Sequence, residues 1–442
     1  MRAARCQLRL LAAPLVLALA GCDALDRLRP PLPPLPGERV AVLQFERNLQ
    51  SETERSRARI NLARPRAVRA WPQAGGAPSH AVYHAAGKAR LKPLFAQRVA
   101  SGSDFRTRLT APPLAAGGQV FVLGAQLDLV AVDARTGRKN WTRRLALPGG
   151  KLRDGFGGGI AWANGVVYAV TGFGEVIAVR ARDGRILWRV GTGVPFRAAP
   201  AVQNGRLFVI GHDNRLQVFA TRNGERLWEQ AALSESATIL AAPSVALADE
   251  IVIAGFTSGE LQSLRASNGL NNWNDSLGAR AQTNTPLSEI SSIVSGPVID
   301  GDRVFAVSHG GEMVAIDTRT GQRAWDADYA SIQLPWVSGN VIFLATLDGQ
   351  LLCLERASGR LRWVRPLRRA ARNGDAVRWS GPVLLGGRLR LVSSDGELLS
   401  LSPLNGRILE RQNLRREVQL APIVANGILY ILTDNGYLLA LG

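Results

Sequence analysis

One feature constrains this chain more than any other. A turn ending in glycine recurs seven times, each followed four residues later by a marked position. At six of the seven that position is tryptophan: Gly137/Trp141, Gly184/Trp188, Gly224/Trp228, Gly269/Trp273, Gly321/Trp325 and Gly359/Trp363. The seventh copy has Gly406 and then Glu410. Successive markers lie 38 to 52 residues apart. Six tryptophans in one register mean that the chain is built from a repeated unit of that length.

The unit reads as strands and tight turns. In the fifth copy an apolar strand follows Pro297 and turns at Asp300-Gly301, and Val304 to Val307 leads to Gly310-Gly311. Met313 to Ile316 then leads to the Thr320-Gly321 turn before Trp325. Apolar or alternating runs bounded by Asn-Gly, Asp-Gly or Gly-Gly are hairpin signals, because two-residue hairpin turns need the positive φ that glycine adopts cheaply. The first turn recurs as Asn164-Gly165, Asn204-Gly205, Gly386-Gly387 and Asn426-Gly427. A proline precedes the innermost strand at Pro200, Pro243, Pro297, Pro335, Pro382 and Pro422, a place where no ladder hydrogen bond is lost. Four strands per unit and this period predict an all-β fold, an eight-bladed β-propeller of four-stranded antiparallel blades.

Seven units are complete and the eighth ends at Gly442 without its outer strand. A ring of blades has to close without a raw sheet edge. The segment around the orphan Trp71 is expected to supply the missing strand, which gives about 46 residues per blade. The propeller is thus expected over 71–442. On each outer strand the tryptophan is expected to cover the gap to the next blade, removing roughly 150–250 Å² from water.

The leader carries Arg2, Arg5 and Arg9 and then an apolar run from Leu10 to Ala20, too short to span a bilayer. It ends Leu19-Ala20-Gly21-Cys22. Residues 1–21 therefore read as a signal peptide, and 22–70 as an N-terminal linker with a Pro-rich spacer from Pro30 to Pro36. The chain carries 54 Lys and Arg against 35 Asp and Glu, a net charge of +19. Such a field suits anionic lipid head groups, glycans or acidic proteins, and equally a solvated arginine-rich surface; no nucleic-acid partner is expected.

Catalytic chemistry is sparse. The four histidines form no HExxH pattern, and His80 and His84 lie among Gly75, Gly76 and Pro78 and not on a helix. There is no CxxC and no GxSxG. Gly155 to Gly159 lacks the Lys-Ser/Thr of a P-loop and reads as a tight turn into the second unit. Cys353 falls in a slot held elsewhere by Ala131, Ala178, Val218, Ser263 and Ala315, a small buried position. Asp133 and Asp317 precede Thr-Gly turns and are read as turn caps. No catalytic residue, metal or cofactor is expected.

Segments such as Ala131-Val-Asp133-Ala-Arg-Thr136-Gly137-Arg-Lys-Asn-Trp141 resemble the PQQ-enzyme repeat of eight-bladed quinoprotein propellers. The lipobox at Cys22, the Pro-rich spacer ending near Gly37-Glu38-Arg39, and the run GGGIAWANGVVYAVTGFGEVIAV together resemble the BamB family of outer-membrane β-barrel assembly lipoproteins. That resemblance implies acylation of Cys22 and a tether at the periplasmic face of the outer membrane. It also implies a non-enzymatic scaffold that binds the POTRA domains of BamA and assists unfolded outer-membrane precursors. Asp23 resembles an inner-membrane retention signal, so the inner membrane stays open. Two loops are similar to that family's docking elements. They are Val194-Pro195-Phe196-Arg197, with an exposed Phe196 expected beside Arg197, and the loop with Glu289 and Ser291, where Ser291 replaces a second acid. The alternatives are a PQQ-dependent dehydrogenase relative, against which stands the absence of adjacent cysteines, and a basic periplasmic binder of anionic lipid or glycan.

Overall fold

The structure is a computed structural model, which describes residues 59–146, 157–232, 243–278, 292–367, 369, 374 and 376–442. Cys22, Asp23, Glu289 and Ser291 lie outside the described residues. The described chain forms eight four-stranded antiparallel sheets, the eight blades of the expected propeller. Blades one to seven span residues 114–144, 158–191, 201–231, 246–276, 298–327, 336–366 and 379–413. Blade eight takes its three inner strands from 423–441 and its outer strand from Pro93–Arg98, which pairs with Tyr437–Leu441.

The ring is therefore closed by an N-terminal strand, but not by the one expected. Trp71 makes a single bridge to Ala115 on the innermost strand of blade one and stacks on Trp336, ring centroids 6.4 Å apart. The closing residue is Phe95, paired across from Ala440. It lies 46 residues before Trp141, one blade period. It is the phenylalanine equivalent of the tryptophan marker.

The marker works between blades. Each indole covers the turn glycine of the following blade: Trp141 lies on Gly184, Trp188 on Gly224, Trp228 on Gly269, Trp273 on Gly321, Trp325 on Gly359 and Trp363 on Gly406, and Phe95 lies on Gly137. A Cβ at any of these glycines would come within 2.6–2.8 Å of the ring. Each indole N–H also donates to a main-chain carbonyl of the next blade: Trp141 to Ala181 at 2.9 Å, Trp188 to Thr221 at 3.0 Å, Trp363 to Pro403 at 3.1 Å. Phe95 has no N–H. In its place the Tyr430 hydroxyl donates to Ala134, at 2.8 Å, and Ala134 occupies in blade one the position of Ala181 in blade two. Burial pushes the Tyr430 phenol up to about 12, so it stays a donor throughout the physiological range.

This geometry explains Glu410. Blade eight takes its outer strand from Pro93–Arg98, so no turn joins its third and outer strands and blade seven faces no turn glycine to cover. Glu410 instead pairs with Arg388 at 3.3 Å.

In six of the eight blades an aromatic on the second strand, a small residue on the third and the marker on the fourth lie side by side; blade four has Ile253 and blade seven Arg390 in the aromatic's place. Examples are Phe121, Ala131 and Trp141, and Phe343, Cys353 and Trp363. The two rings stand 5.9–6.2 Å apart in five blades, so the residue between them has to be small. Cys353 is fully buried there, as expected, and its thiol is pushed up by burial. Asp133 and Asp317 cap their turns: Asp133 Oδ1 accepts from the Thr136 amide and hydroxyl, both at 2.8 Å, and Asp317 does likewise with Thr320.

Before the closing strand, residues 59–92 cross one face of the disc and reach every blade. Asn340 N–H donates to Asn61 (blade six), Asn426 N–H to Val68 (eight), Ala115 N–H to Trp71 (one), and Trp162 N–H to Pro72 (two). Val202 N–H donates to the Gln73 side chain (three), Leu247 N–H to Pro78 (four), Ile299 N–H to Ser79 (five), and Ala85 N–H to Leu384 (seven). This segment plugs the end of the central channel where innermost strands turn into second strands. Residues 59–70, expected as linker, are part of it.

Candidate functional site

The connections from each outer strand to the next blade lie on the opposite face of the disc, and the expected docking loop is one of them. It runs from Thr192 to Pro200 between blades two and three. Thr192 N–H donates to Gly174 at 2.7 Å, Phe196 N–H to Thr171 at 3.2 Å, and His212 N–H to Pro195 at 2.9 Å. The loop is thereby clamped between the hairpin turns of the two blades. Gly174 is needed there: its φ is +75°, and a Cβ would meet the Val194 backbone at 2.8 Å.

Phe196, expected as an exposed anchor, has 0% of its surface exposed. It packs with Tyr168, Val176, Leu207, Val209 and Phe219 in the core between blades two and three. The reason is a repeat in the loops. His309 N–H donates to Ser292, and Asp434 N–H to Glu417, as His212 does to Pro195. The residue after each acceptor, Ile293 or Val418, is likewise wholly buried. Phe196 fills a structural slot, and so it holds the loop and presents no side chain to a partner.

Val194 and Arg197 remain half-exposed on either side of it. Arg197 packs on Gly157, whose φ is +104° and whose Cβ would lie 3.0 Å from the Arg197 Cδ. The glycine-rich turn into blade two thus makes room for the guanidinium, which burial pulls below the ordinary arginine range. The second docking loop enters the described chain only at Ser292, so the structure brings together Val194 and Arg197 alone among the expected contact residues.

One residue of this face escaped the sequence. Phe105, on the connection into blade one, is 96% exposed. Asp104 holds it at the tip by accepting from the Arg106 and Thr107 amides, both at 2.7 Å. Behind it a groove of about 350 Å³ is lined by Ser103, Asp104, Arg108, Glu417 and Asp434. Burial, with the Glu417 charge adding to it, raises the Asp434 carboxyl above its usual range. The signal was a lone Phe in a polar Ser-Asp-Phe-Arg-Thr-Arg stretch.

His80 and His84 belong to the plug. His80 Nδ1–H donates to Pro297 at 2.7 Å. His84 Nδ1–H donates to Ala63 at 2.9 Å, and its Nε2 accepts from Gly387 N–H at 3.1 Å. Among the described residues no three His, Cys, Asp or Glu side chains gather as a metal set.

The family model of outer membrane protein assembly factor BamB matches residues 80–156 and 150–365. The outer membrane protein assembly factor BamB of Bordetella pertussis is 26% identical over 360 residues, covering 79% of this chain and 90% of that protein. The BamB of Xanthomonas campestris is 27% identical, covering 73% of this chain and 79% of its own length. Among solved structures, BamB from Moraxella catarrhalis superposes with a TM-score of 0.67 at 18% identity, over 80% of this chain and 99% of that one. A europium-containing methanol dehydrogenase superposes with a TM-score of 0.65 at 14% identity, over 82% of this chain and 89% of that one. At such identities the structural likeness shows the fold alone.

Proposed function

The chain belongs to the family of outer membrane protein assembly factor BamB, and from that premise we propose that it is a non-enzymatic scaffold of outer-membrane protein assembly. In this reading it is tethered through an acylated Cys22 at the periplasmic face of the outer membrane and docks on the POTRA domains of BamA. The observation that carries the proposal is the clamped loop at 192–200. Its backbone is fixed by hydrogen bonds to two blades, so Val194 and Arg197 are presented without the ordering cost that a free loop pays on binding. Arginine beside an apolar side chain is a frequent interface anchor. Glu289 and Ser291, on the connection between blades four and five, are proposed to extend the same surface, and Phe196 supports it from beneath.

Names of sequence relatives support assembly over dehydrogenase chemistry, since the Bordetella and Xanthomonas proteins, matched over most of their length, are called assembly factors. The chain's three cysteines, Cys6, Cys22 and Cys353, include no adjacent pair.

The test is binding of the purified chain to the periplasmic domains of BamA from the same organism. Arg197→Ala is expected to weaken the complex by about 1–3 kcal/mol with the melting temperature unchanged. A complex that forms normally with Arg197→Ala and Val194→Asp removes this loop from the interface. Absence of any complex with wild-type protein removes the BamA reading itself.

A further inference from the structure

The plug carries an unbalanced charge. Residues 59–92 contain seven lysines and arginines and no aspartate or glutamate. All seven cations are exposed. None forms an ion pair among the described residues, in contrast to blade-turn arginines such as Arg356, which pairs with Asp300.

Their placement is one-sided. Arg59 lies beside Asn340, whose side chain donates to its carbonyl at 3.0 Å. The Lys88 backbone lies against Gly386, where a Cβ would meet it at 2.5 Å. Val68, next to Arg69, accepts from Asn426, and Lys92 exchanges both backbone hydrogen bonds with Gly442. The patch thus spreads over the inner turns of blades six, seven and eight. Exposed Arg360 and Arg407 on the outer turns of blades six and seven extend it.

We propose that this plug face is a docking surface for a bilayer rich in anionic phospholipid. Guanidinium forks match phosphate oxygens, and clustered cations at an anionic membrane add attraction with each residue. A protein partner would call for aromatic or aliphatic anchors at the centre of the contact. Here the centre is filled instead by buried rings, Trp71 and Trp336, and the charged groups of the plug segment itself are all exposed cations. Thirty-seven residues run from Cys22 to Ala58 before the described chain starts on this same face. A lipid anchor at Cys22, which belongs to the functional reading above, would hold this face toward the membrane and leave the 192–200 loop pointing away from it.

The experiment uses the mature chain from residue 22 with Cys22→Ala, so that no acyl chain contributes and the anchor is not itself under test. Sedimentation is measured with vesicles of 70% phosphatidylcholine and 30% phosphatidylglycerol, and with pure phosphatidylcholine. At low salt each cation at such a surface is worth roughly fivefold in partitioning. The variant Arg64→Gln/Arg66→Gln/Arg69→Gln/Arg90→Gln is expected to lose at least tenfold in binding to the anionic vesicles, with an unchanged melting curve. An opposite-face variant of equal charge, Arg106→Gln/Arg144→Gln/Arg378→Gln/Arg415→Gln, is expected to stay within about twofold of wild type. Equal losses in the two variants would mean that net charge alone acts, and would overturn the assignment. Equal binding to neutral and anionic vesicles would overturn it too, as would binding to heparin without binding to vesicles. Fractionation of cell envelopes with wild type against Cys22→Ala tests the anchor separately.

Discussion

At the scale of single residues, the seam of the ring is where the repeat is broken and repaired. Blades one to six are each followed by a tryptophan-to-carbonyl hydrogen bond. At the eighth, the ring of Phe95 supplies the packing and the hydroxyl of Tyr430 the donor. Tyr430→Phe is therefore expected to cost about 1 kcal/mol, read from a chemical denaturation midpoint, and Phe95→Ala about 2 kcal/mol, below the loss at a fully buried site. The two residues meet blade one at adjacent points, so their effects should be non-additive in a double-mutant cycle. Gly406 and Gly165 make a second pair. Both have positive φ, but a Cβ at Gly406 would lie 2.8 Å from the Trp363 ring and one at Gly165 would meet nothing. Gly165→Ala should cost about 1 kcal/mol from backbone strain alone; Gly406→Ala should cost clearly more. The sequence announced the tryptophans and the small residues opposite them, because each copy repeats the same chemistry. It hid Phe95, because there one marker's task is divided between two residues of other types, far apart in the chain.

At the scale of elements, the plug and the docking loop behave in opposite ways. The plug at 59–92 has no alternation and only isolated bridges. Its order comes from carbonyls and amides that meet eight separate blades, so no side-chain period betrays it. His80 lies at its centre, fully buried, with its imidazole pulled down to about 4 by desolvation. A folded pKa below the unfolded value of about 6.5 means that the unfolded chain takes up the proton first. Stability contributed by neutral His80 is thus whole above pH 6.5 and declines as pH falls toward 4. Amide protection factors at Ser79 to Ala81 are expected to fall as pH drops through that window in wild type and to lose this dependence in His80→Gln. The docking loop was legible as a motif, yet the depth of Phe196 was not, because connections of unequal length disguise a slot shared with Ile293 and Val418. Phe196→Ala should lower the melting temperature through a core cavity, by about 3–5 kcal/mol in stability, whereas Phe105→Ala should change stability by less than about 0.5 kcal/mol.

At the scale of the molecule, the two faces of the disc are chemically distinct. One is sealed by a segment without a single carboxylate; the other carries the connections, a clamped loop and an exposed phenylalanine. The period of the markers was enough to predict the number of blades and their strand count, since radial repetition leaves few other ways to cover apolar sheet faces. It could not assign faces, which depend on where one aperiodic segment comes to rest.

The closing of blade eight has a consequence for how the molecule is born. The strand Pro93–Arg98 is synthesised 339 residues ahead of Tyr437, where its partner begins. At about 5–20 residues per second, it waits tens of seconds with its edge open. The plug waits as well, since its eight contacts reach as far along the chain as Asn426. Nothing short of the strand Tyr437–Leu441 can therefore shut the circle, and a chain cut before that strand is left an open, adhesive arc in place of a disc.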